Sequence, residues 1–330
     1  MTDGLSCYTA NLAAYLEHHG TPGAADAIAV SVRLAVDLRR PDGLVAVSHH
    51  DRPLDRMGDG TRLTYRGHDD FAGFRADLDR ELRQYGCALV VGYSTQLPWA
   101  AQREGTAAPH FLLVDGFENS AGDGRWHVED RFTGLMTSGQ HQEPFTGWIG
   151  EPDLDRLTRR EGPEPAKHHL RNTLAFGFEN PAPAGCRHLL LRRKSRPVHP
   201  NPLPAHWVTG TVEALGALGT HLADSDALVR DPDVVDDCWA AAQHHLCSHR
   251  RLGRHLGFRT TGEHRRAALE EAVKCWEKLP RTLRFAATSA RRGRSRPTLV
   301  RAAFTELAER EHEAAQALTG AVLVAAGASD

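Results

Sequence analysis

The run Leu5-Ser6-Cys7-Tyr8-Thr9-Ala10-Asn11-Leu12-Ala13-Ala14-Tyr15-Leu16 puts a thiol where an alanine- and leucine-rich helix should begin. Backbone N–H groups of a first helical turn have no intrahelical partner, and the positive end of the helix dipole favours an anion. A cysteine there is held as the thiolate, the form that attacks carbonyl carbon. Such a nucleophile needs a base and a group to orient the base, and His110 and Asp130 are candidates for both roles.

These two residues sit in Pro109-His110-Phe111-Leu112-Leu113-Val114-Asp115-Gly116-Phe117 and Arg125-Trp126-His127-Val128-Glu129-Asp130-Arg131-Phe132, two stretches rich in strand formers. The stretch Glu118-Asn119-Ser120-Ala121-Gly122-Asp123-Gly124 between them is a cluster of turn residues, so the segment reads as a β-hairpin. A turn centred near Ser120 predicts Val114 opposite Trp126, Leu112 opposite Val128 and His110 opposite Asp130, all on one face of the ribbon. An imidazole and a carboxylate so placed can hydrogen-bond, which fixes ring orientation and tautomer. A slip of one residue would instead pair His127 with Asp115 on the other face.

The elements that must position these residues are legible nearby. Phe71, Phe74, Leu78, Leu82 and Tyr85 recur at helical spacing behind Asp70, a capping residue, and feed the apolar strand Cys87-Ala88-Leu89-Val90-Val91-Gly92-Tyr93. A loop from Tyr93 to Pro109 then leads into His110. Two Pro- and charge-rich connectors, 159–169 and 196–206, flank strand-like runs at Leu174-Ala175-Phe176-Gly177-Phe178 and His188-Leu189-Leu190-Leu191-Arg192. After Trp207 the pattern is helical, over 207–223, 232–256, 263–288 and 298–320. This predicts an α+β fold with two parts, a catalytic core over 1–195 and a helical region over 196–330 that serves as a lid or a docking surface.

A chain of 330 residues, 41% hydrophobic, has material for two cores. Its net charge of −2 gives no general basic footprint for nucleic acid, and only Arg291-Arg292-Gly293-Arg294-Ser295-Arg296 is locally basic. Without a signal-like or membrane-length apolar run the protein is expected in the cytoplasm, and the position of Cys7 leads to the expectation that it has no propeptide. The 6 cysteines are too dispersed for a disulfide scaffold. Among the 20 histidines, His245 and His249 have the i, i+4 spacing of a metal pair, but the sequence offers no third ligand beside them, so they read as solvated surface and no metal is expected. No phosphate-binding glycine loop follows a strand, so no nucleotide is expected either.

Cys7-Tyr8-Thr9 with its helix ending in His18-His19-Gly20, then Leu97-Pro98-Trp99, then His110-Phe111-Leu112-Leu113-Val114-Asp115-Gly116-Phe117, resembles the N-terminal domain of the butirosin-type acyltransferases. The condensing enzymes of lincosamide antibiotic assembly (lincomycin, celesticetin) resemble it in the same way. The resemblance covers roughly residues 1–150. It implies a papain-like core, an N-terminal helix packed on an antiparallel sheet, with Cys7, His110 and Asp130 as the triad. It further implies transfer of an acyl or proline-like aminoacyl group from the phosphopantetheine arm of a carrier protein onto an amine of an aminosugar, with no other cofactor. Two departures stand out: Ala27–His50 lacks a glycine-rich stretch, and no Gln precedes Cys7. The oxyanion donors are then the backbone N–H groups of Cys7 and Tyr8, or the side chain of Gln96, while Trp99 lines the acyl or sugar pocket or simply packs. The alternatives are a cysteine peptidase or thioesterase using the same residues, and a non-catalytic binding scaffold.

Overall fold

The computed structural model of the chain describes residues 5–51, 53, 55, 57, 59–100, 108–120, 123–135, 140–162, 166–177, 180–195, 203–224, 226–256 and 263–326. Two units divide it: Met1–Ile28 with Arg52–Pro202, and Ala29–Asp51 with Leu203–Asp330. The architecture is α+β with antiparallel sheets and a helical C-terminal region.

The first unit begins with α1 (Cys7–His18), capped by Ser6, whose Oγ accepts from the Thr9 N–H at 3.4 Å. The chain passes through α2 (Ala24–Val30) into two strands of the other unit, β1 (Val32–Asp37) and β2 (Ala46–His50), and then returns. There follow β3 (Thr61–His68), α3 (Phe71–Tyr85), β4 (Ala88–Tyr93), β5 (Pro109–Ser120), β6 (Asp123–Asp130), β7 (Gly134–Leu135), β8 (His141–Gln142), β9 (Phe145–Gly150), α4 (Glu151–Thr158), α5 (Ala166–Phe176) and β10 (His188–Ser195). Six of these strands form one antiparallel sheet in the order β3-β10-β4-β5-β6-β9. The predicted α3 forms as expected, with the Asp70 carboxylate accepting from the Gly73 N–H at 2.7 Å and Gly86 ending the helix at φ 79°. Its Phe74 and Leu78 pack with Val90, Leu112, Trp126 and Val128 in the core of this unit.

The expected strand at Leu174–Phe178 is instead the end of α5, closed by Gly177 at φ 68° with its N–H donating to the Thr173 carbonyl at 2.9 Å. A short apolar run at the end of an amphipathic helix has the same local pattern as a strand, and periodicity cannot separate them. Phe178 itself lies outside the described residues, as do the hairpin tip 121–122, residues 101–107 of the loop before His110, and 196–202 of the second connector.

In the second unit β1 pairs with β2 and with β11 (Val208–Thr209), and α6 (Thr211–Leu222), α7 (Ala227–Arg230), α8 (Val234–Leu256), α9 (Glu263–Arg291) and α10 (Pro297–Ala326) complete it. The boundary therefore differs from the expected 195/196 division: the chain crosses at 202/203, and residues 29–51 join the helical part. The reason is burial, since Leu34, Val36, Val45 and Val47 share a core with Leu215, Leu218, Val234, Leu283 and Phe304. Among the described residues, no helix is long and apolar enough to cross a membrane.

Candidate active site

Cys7 occupies the first position of α1, directly after the Ser6 cap, and is partly exposed. Its neighbours on that helix anchor the site. Asn11, one turn on, donates from Nδ2 to the Phe111 carbonyl at 2.7 Å and to Asp130 Oδ1 at 2.9 Å, while its own Oδ1 accepts from the Arg131 N–H at 2.8 Å. One buried amide thus ties α1 to β5 and to the end of β6, a part the sequence reading did not assign.

The hairpin forms, but in another register. Its turn sets Ser120 against Asp123 and Gly116 against His127; a β-bulge at Asp115 then shifts the ladder so that Val114 faces Val128 and Leu113 faces Glu129. Continued without the bulge, the first register would leave His110 and Asp130 on opposite faces, because side chains alternate with period two. The extra residue restores the parity and puts both on one face. They are diagonal neighbours, with His110 Nε2 donating to Asp130 Oδ2 at 2.8 Å. The bulge also lets the other pair form on the opposite face, where His127 Nδ1 lies 2.6 Å from Asp115 Oδ1.

Asp130 is fully buried. Besides His110 and Asn11 it accepts from Trp99 Nε1 at 2.9 Å and from the Phe132 N–H at 3.1 Å. Burial opposes its charge, but the His110 imidazolium and the donors from His110, Asn11 and Trp99 prevail and hold the carboxyl below the usual range. His110 is buried too, which by itself would push its pKa down. The Asp130 carboxylate and the Cys7 sulfur, each both charge partner and hydrogen-bond partner, outweigh this and raise it to about 10. With Nε2 committed to Asp130, Nδ1 is the ring nitrogen that remains for Cys7.

A second thiol–imidazole contact in the same unit lies in a different environment. Cys87 Sγ lies 3.4 Å from His19 Nε2. Burial there pushes the thiol up to about 12 and, with Arg193 and His18 adding to it, takes His19 down to about 4. Both groups are neutral at pH 7, and burial makes this thiol inert.

Of the other expected site residues, Trp99 stacks on Phe145 with centroids 3.9 Å apart and an interplanar angle of 5°, so its indole packs and orients Asp130. The Tyr8 ring packs against Phe111 with centroids 3.7 Å apart and a tilt of 31°, and its hydroxyl lies 2.5 Å from that of Tyr65 and donates to Asn172 Oδ1. Gln96 lies in the turn after β4, its N–H donating to the Tyr93 carbonyl at 2.8 Å; its Oε1 is buried with no hydrogen-bond partner among the described residues. Among the described residues no disulfide joins any of the 6 cysteines.

Matched against models of known protein families the chain fits none, and no curated protein sequence matches it.

Proposed function

We propose that the protein is a cysteine-dependent N-acyltransferase with a papain-like catalytic core, working in the biosynthesis of an amide-bearing natural product. The observation that carries this reading is the chain of contacts from a helix-start Cys7 through His110 to a buried Asp130. A triad of this kind serves covalent catalysis at acyl carbon. The thiolate of Cys7 attacks the thioester of a carrier-bound acyl group; the C–S bond to the phosphopantetheine arm breaks, and the His110 imidazolium gives its proton to the departing sulfur. An amine of the acceptor then attacks the Cys7 thioester, His110 takes the amine proton, and Cys7 leaves as thiolate. Thioester exchange is nearly isoenergetic and amide formation is downhill, so the cycle needs no nucleotide. The backbone N–H groups at the start of α1 are the oxyanion donors of this reading.

The donor and the acceptor rest on the resemblance of residues 1–150 to the butirosin-type and lincosamide enzymes: a carrier-bound acyl or proline-like group, and an aminosugar. Water is the competing acceptor, and its exclusion separates a transferase from a thioesterase or peptidase. Incubation with an acyl-pantetheine thioester alone should leave an acyl adduct on Cys7, seen by intact-protein mass, which an aminosugar discharges quickly and water slowly. Rapid hydrolysis with no acceleration by any aminosugar, together with peptide cleavage, would replace the transferase by the peptidase reading.

A further inference from the structure

Inside the helical unit, His245 and His249 face the same way from α8, four residues apart. Their spacing suggested solvated surface; both are buried. The third ligand absent from their own stretch of sequence comes from α10. Glu311, also buried, accepts at Oε1 from His249 Nε2 at 2.6 Å and from Trp276 Nε1 of α9, and His245 Nδ1 lies 4.0 Å from the same oxygen. Ligand atoms of His245, His249 and Glu311 all fall within 4.8 Å of one another.

His245 donates to the backbone of Arg33; a carbonyl only accepts, so the proton sits on one ring nitrogen and the other is a bare lone pair. That other nitrogen, His245 Nε2, is buried with no hydrogen-bond partner among the described residues, and so is Nδ1 of His249. A buried lone pair facing no donor is costly unless something supplies a positive centre. A histidine that gives its second N–H to a backbone carbonyl is oriented as metal-bound histidines are.

We propose that His245, His249 and Glu311 bind one divalent transition-metal ion, zinc being the ion that suits two imidazoles and a carboxylate. Binding replaces the His249–Glu311 hydrogen bond by two metal bonds, expels any proton shared between them, and uses the carboxylate charge against that of the ion. The ion ties α8 to α10 through the centre of this unit. Metal binding at this site is independent of the chemistry proposed at Cys7.

The test is titration of the chelator-dialysed full chain with Zn²⁺ against a chromophoric chelator, and with Co²⁺ followed by absorption, in wild type and in Cys7→Ala. One equivalent should bind in both, with tetrahedral cobalt bands, no sulfur-to-cobalt charge transfer and a higher unfolding temperature. Glu311→Gln and His249→Gln should each weaken binding by at least about 100-fold, since even outer partners of a metal site cost about 10–100-fold. His50→Gln is the control, because His49, His50 and His244 form a second group of close imidazoles, and it should leave binding within about threefold. No bound equivalent in the wild type overturns the proposal. So does sulfur charge transfer, or binding that survives Glu311→Gln and is lost with His50→Gln. Should Glu311→Gln fail to fold, the wild-type stoichiometry and cobalt spectrum together with the His50→Gln control still decide.

Discussion

His110 and Asp130 meet diagonally across the β5–β6 ladder, and they do so because Asp115 is an extra residue in β5. The pair and its alternative, Asp115 with His127, coexist on opposite faces. This makes the two carboxylates separable by experiment. Asp130→Asn removes the charge behind His110 and should lower the acylation rate by about 10²–10⁴-fold, the usual range for acid–base function. Asp115→Asn touches a partly exposed pair on the other face and should leave the rate within about twofold, with stability changed by about 1 kcal/mol. Single-turnover acylation of Cys7 measures both, and a greater loss in Asp115→Asn would place the working base at His127.

The pH dependence follows from the same carboxylate. His110 in the folded protein is raised above its ordinary value of 6.5 to about 10, so the protonated ring persists through neutral pH and is lost as pH rises through about 10. Acylation, which needs that proton for the departing sulfur, should be flat across neutral pH and fall near 10. The stabilisation from the pair runs the same way: fully present below about 6.5 and lost on passing 10. In Asp130→Asn the alkaline limb should move down by more than one unit. A limb that stayed in place would show that Asp130 does not hold the proton on His110.

Trp99 Nε1 donates to Asp130 Oδ2 at 2.9 Å, so in the proposed mechanism it positions that carboxylate. Trp99→Phe keeps an aromatic ring against Phe145 and removes one N–H donor from Oδ2. A hydrogen bond to a buried charge contributes about 1.5–3 kcal/mol, so about a tenfold or greater loss of rate is expected, with the alkaline limb shifted slightly down and KM for the acceptor unchanged. A change in KM alone would instead put the indole in the substrate pocket.

Much of this site is legible in the chain because its signals are local. Ser6 before Cys7 is a helix start, the stretch from Phe111 to Val114 is a strand, and Asp70 opens α3, each by nearest-neighbour chemistry. The pairing of His110 with Asp130 was read on the right face from the wrong register, since a turn centred at Ser120 and a tighter turn followed by a bulge share the same parity. Asn11 was not legible: a polar residue inside an apolar helix gives no hint that it will reach Phe111 and Asp130 a hundred residues on. Glu311 was hidden from His245 and His249 in the same way, by tertiary packing between distant helices. The membership of residues 29–51 in the helical unit also depends on strand pairing with Val208–Thr209, which no local pattern announces.

The thiols give the most direct check on the nucleophile. Burial pushes Cys87 to about 12 and also raises Cys275, whereas Cys7 is partly exposed at a helix start and bonded to a protonated His110. Iodoacetamide applied to the folded protein at neutral pH should therefore alkylate Cys7 first, faster than Cys87 or Cys275 by at least about 100-fold, since the thiolate is the form that is alkylated and burial holds the other two as thiols. Peptide mapping of the mono-alkylated protein reads the site. Cys7→Ala should abolish the fast phase and acyl transfer together while leaving the unfolding temperature within a few degrees, because a partly exposed helix-start side chain contributes little packing. Equal reactivity at all three thiols would favour a binding scaffold, and acyl transfer retained in Cys7→Ala would remove covalent catalysis from the mechanism.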